Sequence, residues 1–301
     1  QTAKQKGLKF IQDIVPNHIG DHHWWMRDLP AKDWLRNRNT FTPTNHARTT
    51  ISDPYASALD REGFTQGWFA PSMPDMNGRN PRVAHYLIQH AIWWVEYAGL
   101  AGIRVDTYGY SDKNFINEWV RRLREEYPRL GIVGEEWTDN PSVQAYWARG
   151  KTQANGFRSN LPSVMDFVLQ GQMLKALSEP ESWNTGLRRL YESLANDQLV
   201  AYPQDQVLFD GNHDTPRLFS ALDEDPALTR MALAYVLTTK RTPQIYYGTE
   251  VNFANPKSNE HGEIRSDFFG GWPSDTKDAV TGNQLSANEK NTQEFLAKLL
   301  N

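Results

Sequence analysis

A chain of 301 residues with 39% hydrophobic and 23% charged residues can bury a sizeable core, either as one α/β barrel or as two smaller domains. A net charge of −4 and the lack of any Lys/Arg run argue against a nucleic-acid partner, and no apolar run reaches the roughly 18 residues of a membrane span. Without a single cysteine, disulfide and thiolate chemistry are excluded, and the redox compartment is left open. No signal peptide opens the chain, and Gln1 reads as mid-domain sequence. Eleven tryptophans, twelve tyrosines and thirteen phenylalanines are a high share, enough for a core and for sugar-stacking surfaces.

Taken in order, Gly7–Val15 reads as a strand that Pro16 breaks, delivering Asp13, Asn17 and His18 to its end or the loop just after it. From Ile19 to Asn80 no period is sustained, while Trp, Asp, Asn and Pro are dense. That is too long for an ordinary loop, so a small irregular subdomain inserted after the strand is expected. Val83–Tyr97 returns to helical spacing, with Val83, Leu87, Ala91 and Val95 on one stripe. Leu100–Tyr110 then reads as a buried strand, with Gly102, Arg104 and Asp106 on one face and Ile103 and Val105 on the other. The Arg104–Asp106 pair is either an ion pair that fixes packing or a carboxylate held ionised for nucleophilic attack.

Ser111 is the expected cap of the next helix, whose stripe is Phe115, Trp119, Leu123 and Tyr127 before Pro128. Further strands are expected at Gly131–Glu135, Ser163–Leu169, Val207–Asn212 and Gln244–Gly248. Helical stretches around Gly171–Leu177 and Trp183–Leu194, then Leu228–Thr239 and Ala287–Leu300, separate or follow them. Six strand–helix units, centred on Phe10, Val105, Val133, Val168, Phe209 and Tyr246, indicate a parallel sheet or barrel. Four of the strands end in polar clusters: Asp13 with Asn17 and His18, Arg104 with Asp106, Glu135, and Asn212-His213-Asp214. In a parallel barrel such strand ends meet at one mouth, where chemistry sits.

Those clusters carry a resemblance. Asp13-Ile-Val-Pro-Asn-His18, Gly102-Ile-Arg-Val-Asp106, Gly134-Glu135 and Asn212-His213-Asp214 resemble, in the same order, the four signature regions of the α-amylase glycoside hydrolase family. Met73-Pro-Asp-Met-Asn77 is similar to a fifth region, and Thr242–Glu250 to the segment on the eighth barrel strand. Together with His22-His-Trp-Trp25 and His213-Asp-Thr-Pro-Arg217, these motifs resemble most the cyclomaltodextrinase/neopullulanase group. Asp75 departs from the lysine usual there in neopullulanases.

The resemblance implies an α/β fold of the (β/α)8 TIM-barrel type, as a catalytic-domain fragment lacking the first two strands. Residues 1–18 and 81–301 would form the barrel and residues 19–80 the inserted subdomain. It implies a retaining α-glucan hydrolase with Asp106 as nucleophile, Glu135 as general acid/base and Asp214 as transition-state stabiliser. Substrate would be held by His18, Arg104, His213, Asp13, Arg217 and Trp137, with Trp24, Trp25, Trp68 and Phe69 as further stacking positions. Glu136 is the rival acid, but alternation turns it to the face opposite Glu135. No cofactor is needed for the chemistry. A structural calcium at Asn17 is in keeping with the family, whereas zinc at His18, His22 and His23 lacks a fixed helical spacing. The expected partner is an α-glucan oligosaccharide, with neither nucleic acid nor membrane. A transglycosylase or isomerase of the same family would use the same residues. A non-catalytic glucan-binding relative should have lost one of the three carboxylates, and none is lost.

Overall fold

In a computed structural model, which describes residues 2–255 and 260–301, the chain separates into two units. One is Gln1–Met165 with Leu199–Tyr202, the other Asp166–Gln198 with Pro203–Asn301. The first unit holds a parallel sheet in the order β1 (Ile11–Ile14), β2 (Gly102–Val105), β3 (Gly131–Gly134) and β4 (Ser163–Val164). Parallel neighbours need long crossovers, and helices supply them. The helix Pro81–Ala98 lies between β1 and β2, started by the Asn80 side chain and Pro81 and ended at Gly99. It buries Val83, Leu87, Ala91 and Val95, the stripe expected from spacing, together with Ile88.

The helix Lys113–Glu126 follows β2, and Phe115, Ile116, Trp119, Val120 and Leu123 fill the same core as Ile103 and Val105. Its cap is Asp112 rather than Ser111: the carboxylate accepts from Asn114 N at 3.0 Å and Phe115 N at 3.1 Å. A short helix after β3, Pro141–Trp147, is started by Asn140 and Pro141, a signal present in the sequence but unused there. Residues 19–80 contain one short helix, Ala58–Thr65, and single turns of 3-10 helix at Trp24–Met26 and Arg48–Ile51. Isolated bridges such as His18 with Asp75 and Leu35 with Met76 tie the stretch together in place of a sheet.

The second unit pairs β5 (Val207–Phe209) in parallel with β6 (Thr242–Gln244). All six expected strands are shorter than the sequence suggested, and two of them also differ in kind or position. The apolar run Ser163–Leu169 splits after Val164, because Asp166 accepts from Leu169 N at 3.0 Å and starts the helix Phe167–Ser178. A short apolar run does not by itself tell strand from helix, and the capping carboxylate decides. The last strand lies earlier than Gln244–Gly248, because Tyr246 N donates to the Asp210 carboxylate at 2.8 Å instead of continuing the ladder. Helices Pro226–Thr238 and Ala287–Leu300 stand where periodicity put them, the latter opened by a Ser286–Glu289 capping box. The Trp183–Leu194 stretch is helical only over Arg188–Ser193 and then tightens to 3-10 through Leu199. No helix among the described residues is long and apolar enough to cross a membrane.

Candidate active site

Strand register builds the first cluster. Asp13 on β1 stands directly beside Arg104 on β2, so both project from the same face. The Arg104 guanidinium lies 2.6 Å from Asp13 Oδ2, 2.9 Å from Asp106 Oδ1 and 3.2 Å from Glu135 Oε1. One cation thus gathers three carboxylates. Burial opposes charge on Arg104, but Glu135, Asp13 and Asp106 outweigh it and hold its pKa above the ordinary value. Asp106 is partly open and Glu135 is buried, so the two acids differ in hydration although they share a counter-ion.

Glu135 is further fixed by backbone. Thr107 N donates to Glu135 Oε2 at 2.9 Å, and Tyr108 N donates to Glu135 O at 3.1 Å. Between these two donors Thr107 adopts φ 46°, a conformation that β-branched residues rarely take. Gly134 is required just before: a Cβ there would come within 2.7 Å of Leu161 Cδ2 and 2.9 Å of Tyr108 Cγ. His18 stacks on Phe69 with ring centres 5.7 Å apart. Burial pulls its pKa below the ordinary value, with Asp106 opposing, so the imidazole is neutral at pH 7 and able to hydrogen-bond a hydroxyl.

Glu136 turns the other way, as alternation requires. It is fully buried, and burial, reinforced by Glu135, raises its carboxyl to about 7 against the pull of Arg48 and Trp147. In the second unit, burial likewise raises Asp210 to about 6, while hydrogen bonds from Thr249, Tyr246 and Gly211 oppose it. Both groups keep protons in the fold that the unfolded chain, with ordinary values of 4.5 and 3.8, would release. The folded state therefore binds more protons between pH 4 and 7, and stability falls as pH rises through that window. For Glu136 the effect is on the order of 3 kcal/mol. Melting curves from pH 4.5 to 8 should show a falling unfolding temperature, with a visibly shallower slope in Glu136→Gln. An unchanged slope would place that titration elsewhere.

The third predicted carboxylate, Asp214, belongs to the second unit. Its Oδ1 lies 2.8 Å from Arg265 and 3.5 Å from His261, and its Oδ2 lies 3.0 Å from His213 Nε2. Arg265 also donates to His213 O at 2.9 Å, so one arginine holds both residues. Asn212 closes the turn by accepting from Asp214 N at 2.9 Å. Arg217, expected to bind sugar, is 1% exposed. Its guanidinium packs 4.3 Å from the centre of Tyr246, 4.6 Å from Tyr247 and 5.0 Å from Phe253 and donates to Tyr247 O. No face of it is open to a sugar, and it serves instead to hold the Tyr246-Tyr247 segment.

Of the aromatic positions, Trp25 and Trp68 are core, whereas Trp24 and Trp137 are exposed and Phe69 lies partly covered beneath His18. Around Asn17 the donor set does not suit calcium, which takes six to eight oxygens, carboxylates prominent among them. Asn17 is buried with its amide nitrogen 3.3 Å from His18 Nδ1. The carboxylate on the adjoining segment, Asp75, is already paired with Arg36 at 3.1 Å. That same guanidinium takes Asn77 Oδ1 at 3.1 Å and Thr65 O at 2.5 Å, so these oxygens are already committed to a cation. The sequence pattern does not single out Thr107, Arg48, Arg265 or Asp210. Only the Asp210-Gly211 pair at a strand end gave a local signal, since the others act through partners far along the chain.

Residues 1–298 match the alpha amylase catalytic domain model, and the chain belongs to that family. It is 29% identical over 259 residues to Neopullulanase 2 of Thermoactinomyces vulgaris, covering 84% of this chain and 40% of that protein. It is 27% identical over 257 residues to a Cyclomaltodextrinase of Bacillus sp, covering 82% and 41%. The chain thus spans about 40% of the length of these curated relatives. Among solved structures, an alpha-amylase from Geobacillus thermoleovorans complexed with acarbose superposes with a TM-score of 0.75 at 22% identity, covering 99% of this chain and 59% of that one. This likeness places the chain in the TIM-barrel type of α/β fold.

Proposed function

We propose that this chain is the catalytic region of a retaining glycoside hydrolase that cleaves α-1,4 links in maltooligosaccharides, cyclodextrins, pullulan or starch. The observation that carries the reading is the gathering of Asp13, Asp106 and Glu135 around Arg104. Retention needs one ionised carboxylate to attack the anomeric carbon and a second carboxyl to protonate the leaving oxygen. Asp106, paired with a fully charged arginine, suits attack. Glu135, more buried and fixed in place by Thr107 N, would take the role of proton donor and then of base for water. Neutral His18 and Asp13 would hold sugar hydroxyls, and exposed Trp137 offers a stacking face. Asp214 with His213, held by Arg265, would bind hydroxyls and stabilise the oxocarbenium-like transition state.

Within the family fold we infer that β1 is the third barrel strand and that residues 19–80 are the subdomain inserted after it. In support, β1 pairs on one side only among the described residues, and its first residue Ile11 and the preceding Phe10 are exposed. The function is tested by assaying the full-length protein on starch, pullulan and β-cyclodextrin and resolving the products. Release of maltose-sized sugars from any of the three supports hydrolysis. Larger products without net reducing ends would instead mean transglycosylation, and no turnover on all three would overturn the reading.

A further inference from the structure

We propose that Arg48, from the inserted stretch, and Glu136, beside the acid/base position, form a latch that positions Glu135 for proton transfer. The inference rests on the reading of Glu135 as the general acid/base. Strand β3 ends at Gly134, and the backbone of the next residue is still tied in: Glu135 N donates to Val105 O at 2.9 Å and Glu135 O accepts from Tyr108 N at 3.1 Å. Glu136 and Trp137 follow beyond the end of the strand. Arg48 contacts both of them.

Arg48 lies on the 3-10 turn Arg48–Ile51, 88 residues before Glu136. Its NH1 nitrogen stands 3.4 Å from Glu136 Oε1 and also donates to Trp137 O. Its NH2 nitrogen donates to the Tyr110 hydroxyl at 3.1 Å, and that hydroxyl lies 3.0 Å from His46 Nδ1. One planar fork therefore grips the side chain and the backbone on the C-terminal flank of Glu135, and a tyrosine from the loop after β2. A lysine could not hold three such partners with a single point charge.

The receiving side is built for a carboxylate. Glu136 is buried, with the Trp147 indole N–H as a second donor. Gly109 leaves it room, since a Cβ there would fall 2.0 Å from Glu136 Oε2. A buried carboxyl is retained in an apolar setting only with partners that satisfy it, so this one serves the contact it makes. Tyr110, for its part, packs 4.5 Å from Phe64 and 5.0 Å from Phe69, both in residues 19–80. The latch thus locks the inserted stretch to the ends of β2 and β3, on either side of Thr107 N and Glu135.

Proton donation is sensitive to placement at the ångström level, and natural glucans need it more than substrates with good leaving groups. The test compares Arg48→Met and Glu136→Gln with the unmodified full-length protein, on maltoheptaose and on an α-glucosyl substrate with a dinitrophenolate leaving group. Glu136→Gln conserves volume and fills the same cage, so it folds even if Arg48→Met does not, and thermal unfolding checks both. On maltoheptaose kcat should fall by about 10- to 100-fold with KM changed less than about 3-fold, while the activated substrate loses less than about 3-fold. Arg48→Lys should recover only part of the loss. Equal losses on both substrates would mean a merely structural pair, and no loss in Glu136→Gln would mean no role; either overturns the latch. Glu135→Gln is run alongside: if it lacks the leaving-group preference, the acid/base reading fails, separately from the latch.

Discussion

Asp106→Asn should lower kcat on maltooligosaccharides by about four orders of magnitude, roughly 5 kcal/mol in the barrier, while glucan affinity stays within a few-fold. The change is nearly isosteric and removes only the charge that attacks. Arg104 keeps Asp13 at 2.6 Å and Glu135 at 3.2 Å, so the cation is not orphaned and the sheet should hold. Had the Arg104–Asp106 pair been only a packing device, the loss would appear in stability and leave turnover largely intact. Steady-state kinetics beside calorimetric titration of an oligosaccharide separates the two. A variant that keeps more than about a tenth of kcat, a loss below roughly 1.4 kcal/mol, removes Asp106 from the role of nucleophile.

Glu135→Gln should lose two to four orders of magnitude on natural glucans yet turn over activated aryl or fluoride substrates at a substantial rate. The amide still accepts a hydrogen bond from Thr107 N, so the loop after β2 keeps its form. What disappears is the proton for the leaving oxygen and, later, the base for water. Added azide should therefore accelerate the variant on activated substrates, because an anionic nucleophile needs no base. Glu136→Gln supplies the contrast: its carboxyl is turned into the Gly109–Trp147 cage, and azide should do nothing for it. Azide rescue at position 136 instead of 135 would reverse the assignment of the two acids.

Much of this geometry could be read from residue order because it depends on local rules. Strand alternation alone put Arg104 and Asp106 on one face and turned Glu136 from Glu135. Helical spacing over Val83–Tyr97 falls within two residues of the helix Pro81–Ala98, and Ala287–Leu300 stands as expected, whereas the one expected cap, Ser111, gives way to Asp112. The structure departs from the sequence pattern where one polar side chain overrides it. Asp166 turns an apolar run into a helix, and Asp210 draws Tyr246 N from the ladder. Arg217 looked like a sugar ligand by motif, but three aromatic rings enclose it, and nothing in a linear motif reports enclosure. Arg48 gave no signal at all, since its partners lie 62 to 89 residues away. The strained Thr107 was equally silent, because φ depends on what the loop must reach.

The central claim, a covalent glycosyl-enzyme formed at Asp106, can be met directly. The full-length protein is incubated with a 5-fluoro-α-glucosyl fluoride, which forms the intermediate quickly and releases it slowly, then digested and mapped by mass spectrometry. A single added glycosyl group on the peptide containing Asp106, absent from Asp106→Asn and slowly lost with return of activity, is the expected result. Label on Glu135, Glu136 or Asp214, or inactivation without any covalent adduct, would contradict it.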